Sequence, residues 1–146
     1  MIVRQYEPSD RDALIGLWLA CDLVRPWNDP VRDIERKVAL RDGGLLVAVQ
    51  DGSVCGSVMA GYDGHRGWIN YLATVPSMRR QGVGRVLVAE AEALLARRGC
   101  PKINLQIRST NAQVAEFYRR VGYVDDDVIC MGKRLVDDEA NLAERD

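Results

Sequence analysis

The chain has 146 residues, 47% hydrophobic and 28% charged, the balance of one soluble globular domain with enough apolar surface for a core and no second domain. Its 20 lysines and arginines against 21 aspartates and glutamates leave a net charge of −1, which argues against a polyanionic partner such as nucleic acid and makes any anion site local and small. The longest aliphatic runs, such as LLVAV, are too short to span a bilayer, and MIVRQYEPSD has no apolar core with a cleavage site, so a cytoplasmic protein without a membrane partner is expected.

The apolar pattern changes period several times, as it does when strands alternate with helices. Ile2 to Gln5 reads as a first strand. Ser9 as N-cap, with Asp12 at the capping-box position, opens a helix that puts Leu14, Leu17, Trp18 and Cys21 on one face and ends near Asp22. Asp29 as N-cap and Pro30 at the first helical position begin a second helix, with Val31, Ile34 and Val38 as its apolar stripe. Leu45 to Gln50 and Ser53 to Gly61 flank Asp51-Gly52, a strong hairpin signal. Trp68 to Val75, after the loop YDGHRG, completes a three-stranded antiparallel meander.

Val83, Val86, Leu87, Ala91, Leu94 and Leu95 recur at helical spacing until Gly99 and Pro101 stop the run. Lys102 to Arg108 alternates like a strand, and Asn111 caps a helix carrying Val114, Phe117, Tyr118 and Val121, closed by Gly122. Val128 to Leu135 is expected to be the last strand, and the acidic remainder, 136–146, to fray. The four cysteines, Cys21, Cys55, Cys100 and Cys130, form no C-x-x-C pair and have a single histidine to complement them. Reduced thiols and no metal are expected.

The stretch VPSMRRQGVGR, Val75 to Arg85, packs three arginines around two glycines between a strand and a helix. That arrangement aims free backbone N–H groups and the positive helix end at one point, where a phosphate can sit. Leu87 stands where a dinucleotide fingerprint needs its third glycine, and the lysine followed by serine or threonine of a P-loop is missing. What remains, R-x-x-G-x-G, fits either an anion site or a plain helix start until its context is added.

Downstream, NAQVAEFYRRVGY, Asn111 to Tyr123, follows the pattern N-x-x-x-A-x-x-F-Y-x-x-x-G-[FY]. With these two motifs in this order, the chain resembles the GNAT superfamily of N-acetyltransferases, and the wording CDLVRPWNDP, GYDGHRG and RGCPKI is similar to the small bacterial YpeA-type acetyltransferases. The resemblance implies an α/β (α+β) fold in a single domain, residues 1–146: a central mixed, mostly antiparallel, twisted sheet of six to seven strands flanked by about four helices. It implies transfer of an acetyl group from acetyl-CoA, as cosubstrate, directly to a primary amine of a small molecule, peptide or protein. Many family members pair as homodimers, so a homodimer is a further expectation.

Carried over by position, the resemblance puts the backbone amides of Arg80, Gln81, Gly82, Val83 and Gly84 around the CoA pyrophosphate, with Arg79, Arg80 and Arg85 adding positive charge. Leu72, Ala73, Thr74 and Val75 would pair their backbone with the pantetheine arm as if it were an added strand, and Asn111 would belong to the same site. Tyr118 resembles the family's proton donor, since a phenol stays protonated at neutral pH and can protonate a departing thiolate; packing beside Phe117 is the alternative.

Gln106 stands where some members carry a glutamate base and cannot take a proton, which leaves His65 in its loop, or water, to deprotonate the amine. Without a certain base, amines of low pKa, such as a peptide N-terminus, should be preferred. Trp27, Asn28, Asp29 and Asp63 are the acceptor-side candidates, although Asp29-Pro30 is also explained as a helix start. The rival to an enzyme is a non-catalytic acyl-CoA-binding or interaction module, favoured by Gln106 and disfavoured by Tyr118.

Overall fold

A run of consecutive apolar residues, Leu45 to Ala48, is buried throughout, which requires a strand covered on both faces. The computed structural model, which describes residues 1–139, supplies both covers. Its elements run β1 (Ile2–Gln5), α1 (Arg11–Ala20), α2 (Pro30–Ala39), β2 (Leu45–Gln50), β3 (Ser53–Tyr62), β4 (Gly67–Thr74), α3 (Val83–Arg97), β5 (Ile103–Leu105) and α4 (Ala112–Arg120). The strands form one sheet in chain order, antiparallel throughout except for the parallel pair β4–β5.

On one face, Val83, Leu87, Ala91 and Leu95 of α3 pack onto Leu46, Ala48, Val58, Ala60 and Ile69. On the other, Leu14, Leu17 and Trp18 of α1 and Ile34 of α2 cover Leu45, Val47 and Ala73. Each buried side chain of this size contributes roughly 1.5–3 kcal/mol relative to exposure. The approach of α3 depends on Gly56, where a Cβ would come within 2.8 Å of Leu87 Cδ1 and 2.9 Å of Val83 Cγ1. A side chain there would push α3 off the sheet.

β4 does not run regularly. Ser57 pairs with Ala73 but Met59 pairs with Asn70, so Tyr71 and Leu72 together stand opposite Val58, a β-bulge. Tyr71 takes φ +51°, a left-handed conformation that costs a non-glycine residue about 1–2 kcal/mol. The bulge shifts the alternation by one. Ile69 and Leu72, three residues apart, both pack on the α3 side, while Tyr71 and Ala73 belong to the α1–α2 side.

The structure corrects four sequence expectations. The sheet has five strands among the described residues, not six or seven, because Val128 to Leu135 makes no ladder; Val128, Ile129, Met131 and Leu135 are 76–89% exposed, and a segment with no buried face has no packing to set its register. Side chains tether it instead, through Lys102–Asp126 at 2.7 Å, Gln106 Nε2 to Cys130 Sγ at 2.6 Å and Arg134 to the Trp27 carbonyl at 2.6 Å. The strand expected over Lys102 to Arg108 shortens to Ile103–Leu105, because β4 offers partners only at Gly67 to Ile69. Part of the acidic tail is anchored, not frayed: Asp138 is 2% exposed and pairs with Arg36 of α2 at 2.5 Å, whereas 140–146 lie outside the described residues.

The fourth correction is the start of α1. Ser9 lies inside a 3-10 turn, Pro8–Asp10, and the capping box is Glu7 with Asp10. Proline at the first position and the pull of Arg4 shift the cap two residues back. Asp10, 6% exposed, accepts from Arg4 at 2.7 and 3.0 Å and from the Glu7 backbone N–H at 2.8 Å, tying α1 to β1. The Arg4 hydrogen bonds hold its carboxyl below the usual carboxylate range. A carboxyl depressed in the folded state contributes stability that is fully present above its unfolded pKa, about 3.9, and is lost as pH falls below it. Asp10→Asn is expected to cost about 1–2 kcal/mol at pH 7, and urea unfolding should show the gap from wild type closing as pH drops below about 4.

Candidate active site

Past Ile69 and Leu105 the last ladder pairs of β4 and β5 end, and the bulge turns β4 away. Asn70 to Thr74 therefore present an edge that β5 does not cover. The gap is a cleft of about 1450 Å³, walled by Asn70 to Thr74, by Gln106 to Arg108 beyond β5, by Phe117 and Tyr118 of α4, and by Cys21, Arg25 and Asn28 between α1 and α2.

At one end of the cleft stands the N-terminus of α3. Arg80 (φ +65°) and Gly82 (φ +83°) are both left-handed, a backbone sequence that turns successive N–H groups to one side. Among the described residues, the amides of Arg80, Gln81, Gly82, Val83 and Gly84 donate to no carbonyl or side chain, and the first turn of α3 carries no acidic residue. A Cβ on Gly82 would meet nothing within 4 Å, so the turn is open at this residue. Arg79, Arg80, Gly82, Val83, Gly84 and Arg85 all line the cleft. The three arginines are exposed and, among the described residues, make no ion pair. Unneutralised cations, free amides and a fifteen-residue helix dipole converge there, which is the chemistry of an anion site.

Along the wall, Leu72, Ala73 and Thr74 line the cleft, whereas Val75 packs into both cores and Gln81 turns to the Ser77 carbonyl at 3.3 Å. Asn111 lines the cleft and also caps α4, accepting from Val114 N at 3.2 Å. Tyr118 is 6% exposed and sits edge-on to Phe117 and Tyr123, with ring centroids 5.2 and 5.4 Å away. Its hydroxyl makes no hydrogen bond among the described residues. Burial raises its pKa, so the phenol stays protonated. The ring is buried while Tyr118 also lines the cleft, so the hydroxyl is left to bond water or a ligand there.

On the acceptor side the expected residues separate. Asn28 lines the cleft, and the neighbouring Trp27, 40% exposed, carries the Arg108 guanidinium 5.7 Å from its ring centroid. Asp29 is fully buried and serves as the α2 cap, accepting from Val31 N at 3.0 Å. Asp63 and His65 are not brought to the cleft. Asp63 Oδ1 accepts from the N–H groups of His65 and Arg66, closing the exposed β3–β4 loop, and these bonds hold its carboxyl below the usual range. That loop joins β4 at Gly67, beside Leu95 and Cys100 at the far end of α3, with about 20 Å of strand between it and Thr74.

Sequence reasoning missed Tyr71. Its ring stacks on Trp18 at 3.8 Å and 15°, and its hydroxyl donates to Asp33 Oδ2 at 2.5 Å. Ser57 Oγ accepts from Trp18 Nε1 at 2.9 Å and donates to the Tyr71 carbonyl at 2.8 Å. In sequence, Tyr71 is one aromatic in a strand and Asp33 one acid in a helix; only the bulge brings them together. Among the described residues, no group of His, Cys, Asp or Glu is placed to hold a metal, and no helix is long and apolar enough to cross a membrane.

Comparison with known proteins agrees with this geometry. An acetyltransferase of Pectobacterium atrosepticum is 46% identical over 138 residues, 94% of this chain and 98% of its own. Ard1 from Thermoplasma volcanium superposes with a TM-score of 0.73 at 22% identity, covering 84% of this chain and 82% of its own. The aminoglycoside N-acetyltransferase AAC(6')-Iy, bound to the bisubstrate analogue CoA-S-monomethyl-acetylneamine, superposes with a TM-score of 0.73 at 17% identity, covering 92% and 98%. The two structures share the fold with this chain. The sequence match to the Acetyltransferase (GNAT) family spans residues 12–123, and with the 46% identical relative it establishes that the chain belongs to that family and is an enzyme of acetyl transfer.

Proposed function

We propose that the enzyme takes its acetyl group from acetyl-CoA and transfers it directly to a primary amine of a small molecule or peptide. The observation that carries this reading is the set of free amides and unpaired arginines at the start of α3. Those donors suit a pyrophosphate, and the uncovered β4 edge beside them suits the two amides of a pantetheine arm. A relative in fold has been solved with a CoA-linked analogue, which supports the same assignment here.

Bound acetyl-CoA supplies an activated acetyl group as a thioester. The chain's own residues would do the rest. Arg80 to Gly84 hold the pyrophosphate by backbone amides, with Arg79, Arg80 and Arg85 adding attraction. Leu72 to Thr74 align the arm along the cleft, Val75 anchors that edge in both cores, and the Gln81 side chain braces the turn through the Ser77 carbonyl. Tyr118, protonated and without a partner, donates its proton where the thiolate leaves. Asn28 and Trp27, between α1 and α2, face the acceptor.

Gly82→Asp puts a negative charge among the amides and a side chain on a left-handed residue, where strain adds about 1 kcal/mol. It should weaken acetyl-CoA binding at least tenfold by calorimetry while the protein still unfolds cooperatively; an unchanged affinity would remove the α3 N-terminus as the pyrophosphate site. Tyr118→Phe keeps the packed ring and deletes the hydroxyl. Turnover, read as thiol release with any accepted amine, should fall about a hundredfold, with acetyl-CoA affinity within about twofold of wild type.

A further inference from the structure

The reading above leaves the amine's proton without an acceptor. Gln106 lines the cleft but has no basic atom, and His65 does not reach it. Asp22 is a carboxylate on the cleft wall, but its side chain is 89% exposed and paired with Arg25 at 3.1 Å. Behind the wall stands another.

Tyr71 lines the cleft, and Asp33 holds its hydroxyl from behind at 2.5 Å. The ring cannot drift. The left-handed backbone at φ +51°, the stack on Trp18 and the Ser57 bond to the Tyr71 carbonyl each fix it. A phenol donates one hydrogen bond and offers two lone pairs, so with its O–H committed to Asp33 the oxygen keeps its lone pairs for a ligand in the cleft.

The surroundings set the direction of proton flow. Asp33 is 20% exposed and has Arg36 at 3.3 Å on its other oxygen, with the carboxylates of Asp138 and Asp29 nearby. Burial pushes its carboxyl above the usual range, outweighing the Tyr71 hydrogen bond and Arg36. Burial, then Asp33 itself, pushes the Tyr71 phenol up, while Asn28 opposes and Asp138 adds to the rise. The carboxylate is therefore a stronger base than usual and the phenol stays protonated between it and the cleft.

We propose that Tyr71, backed by Asp33, removes the proton from the acceptor's ammonium group. An N–H proton passes to Tyr71 Oη as the Tyr71 O–H proton passes to Asp33 Oδ2. The N–H electron pair stays on nitrogen as the attacking lone pair, Tyr71 is unchanged and Asp33 becomes neutral. Its partial exposure then returns the proton to water. In this scheme Tyr71 is the catalytic residue and Asp33 the group that acts through it. The inference rests on transfer to an amine, and it lifts the restriction to amines of low pKa that Gln106 alone would impose.

The test compares Tyr71→Phe and Asp33→Asn with wild type on two matched peptides, one with only a free α-amine and one with only a free lysine. kcat/KM is measured by thiol release from pH 6 to 10, with acetyl-CoA affinity by calorimetry. At neutral pH the neutral fraction of a lysine of pKa about 10.4 is a few hundredfold smaller than that of an α-amine of about 7.7–8.0. Both variants should lose lysine transfer at pH 7 by about a hundredfold or more, lose far less α-amine transfer, keep acetyl-CoA affinity within about twofold, and recover lysine activity tenfold per pH unit toward its own pKa. Equal loss on both peptides at every pH would mark the pair as structural and overturn the proposal, as would wild-type profiles. Should Tyr71→Phe fail to fold, Asp33→Asn, which leaves ring and strand intact, decides alone. If wild type acetylates neither peptide nor an aminoglycoside, amine transfer itself fails and takes this inference with it; transfer with unaltered profiles sinks the inference only.

Discussion

Parallel strands stay together as long as their backbone groups can pair, and β4 and β5 stop pairing after Ile69 and Leu105 because Tyr71 and Leu72 crowd against Val58. One extra residue in β4 bends it, shifts its alternation and leaves a strand edge facing a cleft, where a continuous sheet would have been solid. A regular β4 would point Leu72 to the wrong face and leave no gap for a ligand between Asn70 and Gln106. The bulge needs a residue willing to sit at φ +51°, and the stack on Trp18 with the bonds to Ser57 and Asp33 compensates for that strain. The contacts that hold the cleft open also set the Tyr71 hydroxyl against its wall.

The α3 end of the cleft and the layer behind its α1–α2 wall differ in charge because different elements furnish them. The α3 side offers donors only: backbone amides, a helix N-terminus and arginines with no acidic neighbour in the first turn. Behind the α1–α2 wall lie Asp33, Asp29 and Asp138, partly neutralised by Arg36, while on the wall itself Asp22 is paired with Arg25. In a chain of net charge −1, this local concentration of donors draws an anion to the α3 end. The uncovered β4 edge runs from that end along the cleft wall.

The features legible in the sequence are those encoded locally. Glycines and prolines mark helix ends, Asp51-Gly52 marks the hairpin, and VPSMRRQGVGR marks the cradle, since each depends on a few adjacent residues. What sequence reading missed depends on distant partners. The capping box sits at Glu7 and Asp10, on the 3-10 turn that leads into α1, because Arg4 reaches Asp10. The last segment alternates as strands do, yet it lacks a face to bury. Tyr71 and Asp33 are 38 residues apart and carry no motif, and Asp63 and His65 look like cleft residues only until the loop is located at the far end of β4.

Asp138 extends this dependence on distant contacts to the tail of the chain. Its carboxylate accepts from Arg36 and from the backbone N–H of Asp29, the residue that caps α2. Arg36 also contacts Asp33 on the same helix, so Asp138 reaches, through Arg36, the carboxylate that holds the Tyr71 hydroxyl. With Asp138 in place, Arg36 is shared between two carboxylates and neutralises Asp33 less than it could alone, while the added negative charge raises Asp33 further. The tail thus acts electrostatically on a group behind the cleft wall without lining the cleft itself. A carboxylate meant to accept a proton gains from such company, because neighbouring charge of the same sign favours its neutral form.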